Sequence, residues 1–184
     1  MELQGKRIVV LVEEQYDDLE VWYPTLRLCE AGAEVIIVGM GAESYESKHG
    51  LPVHVDMQAE QVQIDDVDAV IVPSARAPEV FREHPAMATI VHAAIQQGKL
   101  VATTSAAGRM IAATSEEGDE RARRLFEMQD DIVQDQSLLG ESAVIREGNL
   151  IMARMPVDLP AFCRMIMAAL AEPSAPSTPT VTYD

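Results

Sequence analysis

Four apolar runs of strand length, each separated from the next by a segment long enough to return the chain, constrain the fold more than any other feature. They are Arg7–Val12, Glu34–Val38, Val67–Val72 and Leu100–Thr104. Such runs suit strands covered on both faces rather than on one. Between the first two, Leu19, Trp22, Tyr23 and Leu26 recur at helical spacing, with Asp17 and Asp18 as good caps before them and Gly32 as a left-handed terminator after them. Pro24 is expected to kink or restart this helix. Between Pro85 and Gly98, residues Met87, Ile90, Val91, Ala94 and Ile95 share one helical face. Strands alternating with amphipathic helices predict a doubly wound α/β domain, a mainly parallel sheet sandwiched by helices and joined by right-handed crossovers.

Towards the carboxyl end, Ala143–Ile145 and Leu150–Ala153, joined through Glu147-Gly148-Asn149, predict a hairpin. Asp158 is expected to cap a last helix whose apolar face is Phe162, Met165, Ile166, Ala169 and Leu170. Residues 113–140 fit helix, strand and loop equally. From Glu172 the chain holds three prolines, two serines and three threonines in thirteen residues, a composition unable to bury a core. The organisation read from this is one domain over 1–171 and a Pro/Thr-rich tail over 172–184.

With 184 residues and 48% hydrophobic content the chain can build one substantial core. No apolar run approaches the roughly 20 residues of a membrane span and the amino terminus has no signal-peptide pattern, so a cytoplasmic location is expected. Thirty acidic against fourteen basic residues give a net charge of −16, which disfavours nucleic acid and anionic membrane as partners. Only three of the basic residues are lysines, a balance that suits either a high-salt cytoplasm or plain solubility. Cys29 and Cys163 fall on predicted helices and read as two core thiols. His49, His54, His84 and His92 show no ligand spacing among themselves or with a cysteine; no metal site and no cofactor is expected. Arg121, Arg123 and Arg124 stand among carboxylates and read as a salt-bridged surface.

The chemistry-bearing junction is Leu100–Gly108, where a strand runs without a linker into small residues opening a helix. A turn of that kind can lift Ser105 onto the carboxyl edge of the sheet. Ser105 is followed by Ala106, so the hydroxyl has no imidazole beside it, and a serine hydroxyl needs an adjacent base to become a nucleophile. Three roles stay open for Ser105: helix N-cap, ligand-binding group, or nucleophile.

The order and wording of the chain resemble the ThiJ/PfpI superfamily over residues 6–171. The resemblance is carried by Lys6-Arg7-Ile8-Val9-Val10-Leu11-Val12, Tyr16-Asp17-Asp18-Leu19-Glu20, Glu30-Ala31-Gly32-Ala33-Glu34-Val35, Lys48-His49-Gly50-Leu51-Pro52-Val53, Asp68-Ala69-Val70-Ile71-Val72-Pro73, Ala77-Pro78-Glu79, Gly148-Asn149-Leu150-Ile151 and Asp158-Leu159-Pro160-Ala161-Phe162. It implies a flavodoxin-like fold, related to class I glutamine amidotransferases, in a group that includes intracellular proteases, glyoxalases and deglycases, isonitrile hydratases and stress-linked chaperones. The protease-like branch usually shows Ala-Ile-Cys-His-Gly at the strand end, matched here by Thr103, Thr104, Ser105, Ala106 and Ala107. The family's loop carboxylate is matched to Asp17 and its third, acidic member to Glu79; its anion-binding Gly-Gly is matched by Ser74-Ala75. Asp17 and Glu79 each also read as ordinary helix-start residues.

The resemblance thus implies a candidate site of Ser105, Asp17 and Glu79, with Ser74, Ala75 and Ala106 as binding positions. The favoured function is a member without the cysteine chemistry that binds a small polar or carbonyl ligand or a protein partner, with a stress response as one setting. The alternative is a hydrolase, hydratase or lyase using Ser105 with Asp17 as general acid–base. Relatives commonly form dimers or hexamers, so a homo-oligomer, at least a homodimer, is expected.

Overall fold

A computed structural model of the chain describes residues 2–73, 85–104, 144–153 and 156–172. Within them nine strands and three α-helices are seen: β1 (Arg7–Leu11), α1 (Asp18–Glu30), β2 (Glu34–Gly39), β3 (Ser44–Glu46), β4 (Pro52–His54), β5 (Met57–Gln58), β6 (Ala69–Val72), α2 (Pro85–Gln96), β7 (Leu100–Thr104), β8 (Val144–Glu147), β9 (Leu150–Ala153) and α3 (Leu159–Ala171). Seven strands form one sheet in the order β5-β2-β1-β6-β7-β9-β8, and β3 pairs with β4 separately. All neighbours in the large sheet are parallel except β8 against β9, which form the hairpin read from the sequence, with Gly148 at φ 60° in its turn. The fold is the flavodoxin-like α/β class.

Alternate residues of each central strand feed two separate cores, as the two-residue period of a strand demands. Val9, Leu11, Ile36, Val38, Val70, Val72 and Val101 join Met87, Ile90, Val91, Ala94 and Ile95 of α2. Ile8, Val10, Ile37, Ala69, Ile71 and Ala102 join Val21 and Leu28 of α1 and Phe162, Ile166 and Leu170 of α3. This is why the runs are apolar without alternation.

Four local expectations are corrected. Helix α1 does not restart at Pro24 but continues through it; Pro24 lies on the buried side with Val21, Thr25 and Leu28, whose packing holds the turn together despite the missing N–H. The recurring Leu19, Tyr23 and Leu26 occupy the outward side of α1, because the side against the sheet is built from Glu20, Val21, Pro24, Thr25 and Leu28. Asp158 precedes α3 in αR conformation and makes no side-chain capping bond; the helix instead has Pro160 in its first turn, where its missing N–H costs nothing. Cys29 is exposed, whereas Cys163 is buried.

Burial pushes the Cys163 thiol up to about 12, so its thiolate is scarce near neutrality. Titration of native protein with a thiol reagent at pH 8 is expected to modify one cysteine, Cys29, and to reach the second only after denaturant is added. Two fast thiols in the native protein would contradict the packing of α3.

Candidate functional site

Among the parallel strands the order β2-β1-β6-β7-β9 contains a switch point. From β1 the chain moves to β2 on one side and later returns to β6 on the other. The connections leaving β1 and β6 therefore part in opposite directions, and it is beyond the carboxyl ends at such a switch point that sheets of this kind bind ligands. The described residues at this edge include those of the β1–α1 loop, the start of α1, Pro73 after β6, Thr104 at the end of β7 and Ala153 at the end of β9.

Asp17 is the N-cap of α1, at φ −82° and ψ 124°. One oxygen accepts from the Leu19 amide at 3.0 Å and from the Glu20 amide at 3.4 Å, satisfying amides that have no partner inside the helix. The other pairs with the Lys48 ammonium, a contact that holds the Lys48 pKa above its usual value. Asp17 is therefore engaged by the helix and by the β3–β4 hairpin.

The acidic side chain that meets the end of β7 is Glu20, which sequence reasoning did not single out. Glu20 is 4% exposed and accepts a hydrogen bond from the Thr104 hydroxyl at 2.8 Å; Thr104 is itself 1% exposed. The signal was available, since Glu20 shares its helical side with Pro24 and Leu28, at i+4 and i+8. A carboxylate on the buried side of a helix needs a polar partner, and Thr104 supplies one. Thr104 is followed in the sequence by Ser105.

A second set of polar contacts locks the β3–β4 hairpin onto the same loop. The Ser47 hydroxyl, 1% exposed, donates to Asp18 at 2.7 Å and accepts from the His49 amide at 3.1 Å and the Leu51 amide at 3.0 Å. His49 Nδ1 contacts the other Asp18 oxygen, the Gln15 amide donates to Glu46 O at 2.8 Å, and the Lys48 amide donates to Tyr16 O at 3.0 Å. Tyr16 Oη donates to Leu51 O at 2.6 Å and accepts from Trp22 Nε1 at 3.2 Å; burial raises its pKa. The motif Lys48-His49-Gly50-Leu51 thus works as a clamp on the β1–α1 loop, with Gly50 at φ 80° allowing the turn.

The bond from His49, and next that from Ser47, hold the Asp18 carboxyl below its ordinary value. A depressed folded-state pKa contributes stability above the unfolded value of 3.8 that is lost as pH falls through the folded one. Urea midpoints measured between pH 5 and 2 are expected to fall less steeply in Asp18→Asn than in the unchanged protein. An identical acid limb would mean that the clamp does not depend on this charge.

Ser105, Ala106, Ser74, Ala75 and Glu79 lie outside the described residues, as do His84, Arg121, Arg123, Arg124, residues 113–140 and the tail from residue 173. Of the predicted catalytic trio, only Asp17 is described. Among the described residues no three His, Cys, Asp or Glu side chains are grouped to hold a metal ion. Nor is any helix there long and apolar enough to cross a membrane.

The sequence model of the DJ-1/PfpI family matches residues 6–169. The chain belongs to that family. A relative from Archaeoglobus fulgidus, described only as an uncharacterized protein, is 30% identical over 164 residues, covering 89% of this chain and 98% of the relative. A protein of Pyrococcus abyssi named as a deglycase is 29% identical, covering 89% of this chain and 99% of the relative. The crystal structure of Drosophila melanogaster DJ-1beta superimposes with a TM-score of 0.70 at 22% identity over 90% of each chain, a likeness of fold. DJ-1/PfpI membership accounts for the sheet order.

Proposed function

We propose that this DJ-1/PfpI protein binds a small polar or carbonyl compound in the crevice at the carboxyl ends of β1, β6 and β7, without the cysteine chemistry of the protease-like branch. The observation that carries this reading is the Glu20–Thr104 bond: the buried carboxyl at the end of β7 is occupied by a hydroxyl. The sequence adds Ser105 and Ala106 at the positions matched to the family's Cys-His pair. A thiol is partly ionised near neutrality in a favourable pocket, whereas an alcohol with no adjacent base stays protonated. The name deglycase, attached to relatives from Pyrococcus abyssi and Pyrococcus furiosus, suggests a carbonyl compound or its amine adduct as the ligand class.

A second reading, an enzyme of altered mechanism, draws support from the same carboxyl. In this reading Asp17, engaged as a cap, is replaced by Glu20 as the carboxyl nearest residue 104, and the Thr104 bond must open before Glu20 takes a proton.

The test compares the unchanged protein, Ser105→Ala and Ser105→Cys/Ala106→His against methylglyoxal, glycated amines and peptides, with calorimetric binding of methylglyoxal alongside turnover. Binding without turnover in the unchanged protein, and turnover only in the double variant, is the expected result. Turnover in the unchanged protein that disappears in Ser105→Ala would overturn the proposal in favour of the enzyme.

A further inference from the structure

Three carboxylates stand at the start of α1, and they meet two different parts of the molecule. The β3–β4 hairpin holds two of them, Asp17 through the Lys48 ammonium and Asp18 through the Ser47 hydroxyl and His49 Nδ1. The third, Glu20, turns inward to the Thr104 hydroxyl at the end of β7. Asp17 connects the two sets. One of its oxygens meets Lys48, and the other accepts from the backbone amide of Glu20, the residue whose side chain meets Thr104.

We infer that Lys48 is a positioning residue: through its ion pair with Asp17 the β3–β4 hairpin sets the first turn of α1, and with it the Glu20 carboxyl, against the end of β7. The inference rests on the ligand site proposed above and gives that site a point of control on a hairpin that belongs to a separate sheet. Lys48 acts here by charge. Asp17, Asp18 and Glu20 lie within one helical turn, where like charges three residues apart repel and the positive helix end offsets only part of the cost. The bond to Asp17 and, after it, the charges of Asp17, Glu20 and Asp18 hold the Lys48 pKa above its usual value, so the ammonium lies within reach of all three. Without that ammonium Asp17 can relieve the repulsion by turning to water. Glu20, at 4% exposure, cannot, and the strain falls on the cap and on the bond to Thr104.

Two properties follow. The Lys48 side chain is 47% exposed, so the pair adds little to global stability and is screened by salt. The effect of removing Lys48 therefore shrinks as the screening length falls from about 10 Å at 0.1 M to about 3 Å at 1 M. Coupling of this kind is also reciprocal, so a ligand bound beside Thr104 tightens the hairpin. Exchange of the Gln15 and Lys48 amides, which donate to Glu46 O and Tyr16 O across the clamp, should slow when methylglyoxal is bound.

The full chain, carrying ¹³C at its threonine methyls, is compared by NMR as the unchanged protein, Lys48→Gln, Lys48→Arg and Lys6→Gln. The last removes the same charge and an ion pair, that with Asp68, at the opposite edge of the sheet. Thr104→Val identifies the Thr104 methyl signal by its loss. All three lysine variants change a side chain at the surface, and circular dichroism checks that they fold. Lys48→Gln is expected to displace the Thr104 methyl signal and to speed exchange of the Leu19 and Glu20 amides about threefold or more, the scale of an exposed ion pair. Lys48→Arg should restore both, and Lys6→Gln should leave both in place. Methylglyoxal affinity by calorimetry should fall by a similar factor in Lys48→Gln and return in Lys48→Arg. A Thr104 signal or amide exchange unmoved by Lys48→Gln, no rescue by arginine, an equal response to Lys6→Gln, or an unaltered affinity would each overturn the inference. A chain that does not bind methylglyoxal at all would overturn the ligand reading instead, and the methyl and exchange readouts would still decide the role of Lys48.

Discussion

Phe162→Ala is expected to destabilise the domain by about 3–5 kcal/mol, the range for truncating a large aromatic side chain in a well-packed core. Phe162 is fully buried and belongs to the cluster that joins α1 and α3 to one side of the sheet, with Val10, Leu28, Ile71 and Ile151. The helix that carries it packs on β7, β8, β9 and α1, so the surroundings cannot collapse into the space without moving the sheet. Removal therefore loses both transfer free energy and the contacts around the void. Against a typical total of about 5–15 kcal/mol, this is a large fraction of the stability. Urea denaturation should show a lower midpoint with an unchanged slope. A loss below about 1 kcal/mol would mean that α3 is not docked on the sheet as described.

The sheet was legible because its physical cause lies in the sequence. Apolar runs such as Ile8–Leu11 and Ala69–Val72 have no polar side and can only be buried twice, and the gaps between them are long enough for crossovers. The Gly32 and Gly98 terminators were legible for an equally local reason: both sit at positive φ, at 97° and 69°. The register of α1 was not. Its amphipathic signal is weak because both sides are apolar, so the stripe Leu19-Tyr23-Leu26 competes with Val21-Pro24-Leu28, and the choice is made by the sheet. Exposure of Cys29 follows from that register, as does the inward turn of Glu20. The clamp was seen in the sequence only as a motif, since Ser44–Glu46 and Pro52–His54 are too short and polar to announce strands. They are held by bonds from Ser47 and His49 to Asp18, far away along the chain.

The same register decides what the site offers. With Leu19 outward, Glu20 points to the sheet, and the β1–α1 loop and the first turn of α1 contribute one carboxyl as a cap at Asp17 and a second as a buried acceptor at Glu20. Asp17 matches the family's loop carboxylate by resemblance, but a carboxylate at that position is drawn to the unsatisfied amides of the first turn. The position of an acidic residue along a helix, rather than its distance from the preceding strand, determines which one faces the carboxyl edge of the sheet.

Thr104→Val should therefore be the most informative change at the site, with an expected cost of about 1–3 kcal/mol for so conservative a replacement. Valine keeps the β-branched shape and suits the strand, so packing is nearly preserved and the loss reports the hydroxyl. The cost is high because Glu20 is buried and water cannot readily replace the lost donor at that oxygen. Glu20→Gln keeps an acceptor oxygen in the same place and should be milder. In the double variant the two costs should not add, since valine at position 104 has no donor for either side chain; a coupling energy of at least about 0.5 kcal/mol is expected from the cycle. Additive costs would show that Glu20 is held by other partners and that the Thr104 bond is incidental. The proposed ligand site would then lose the observation on which it rests.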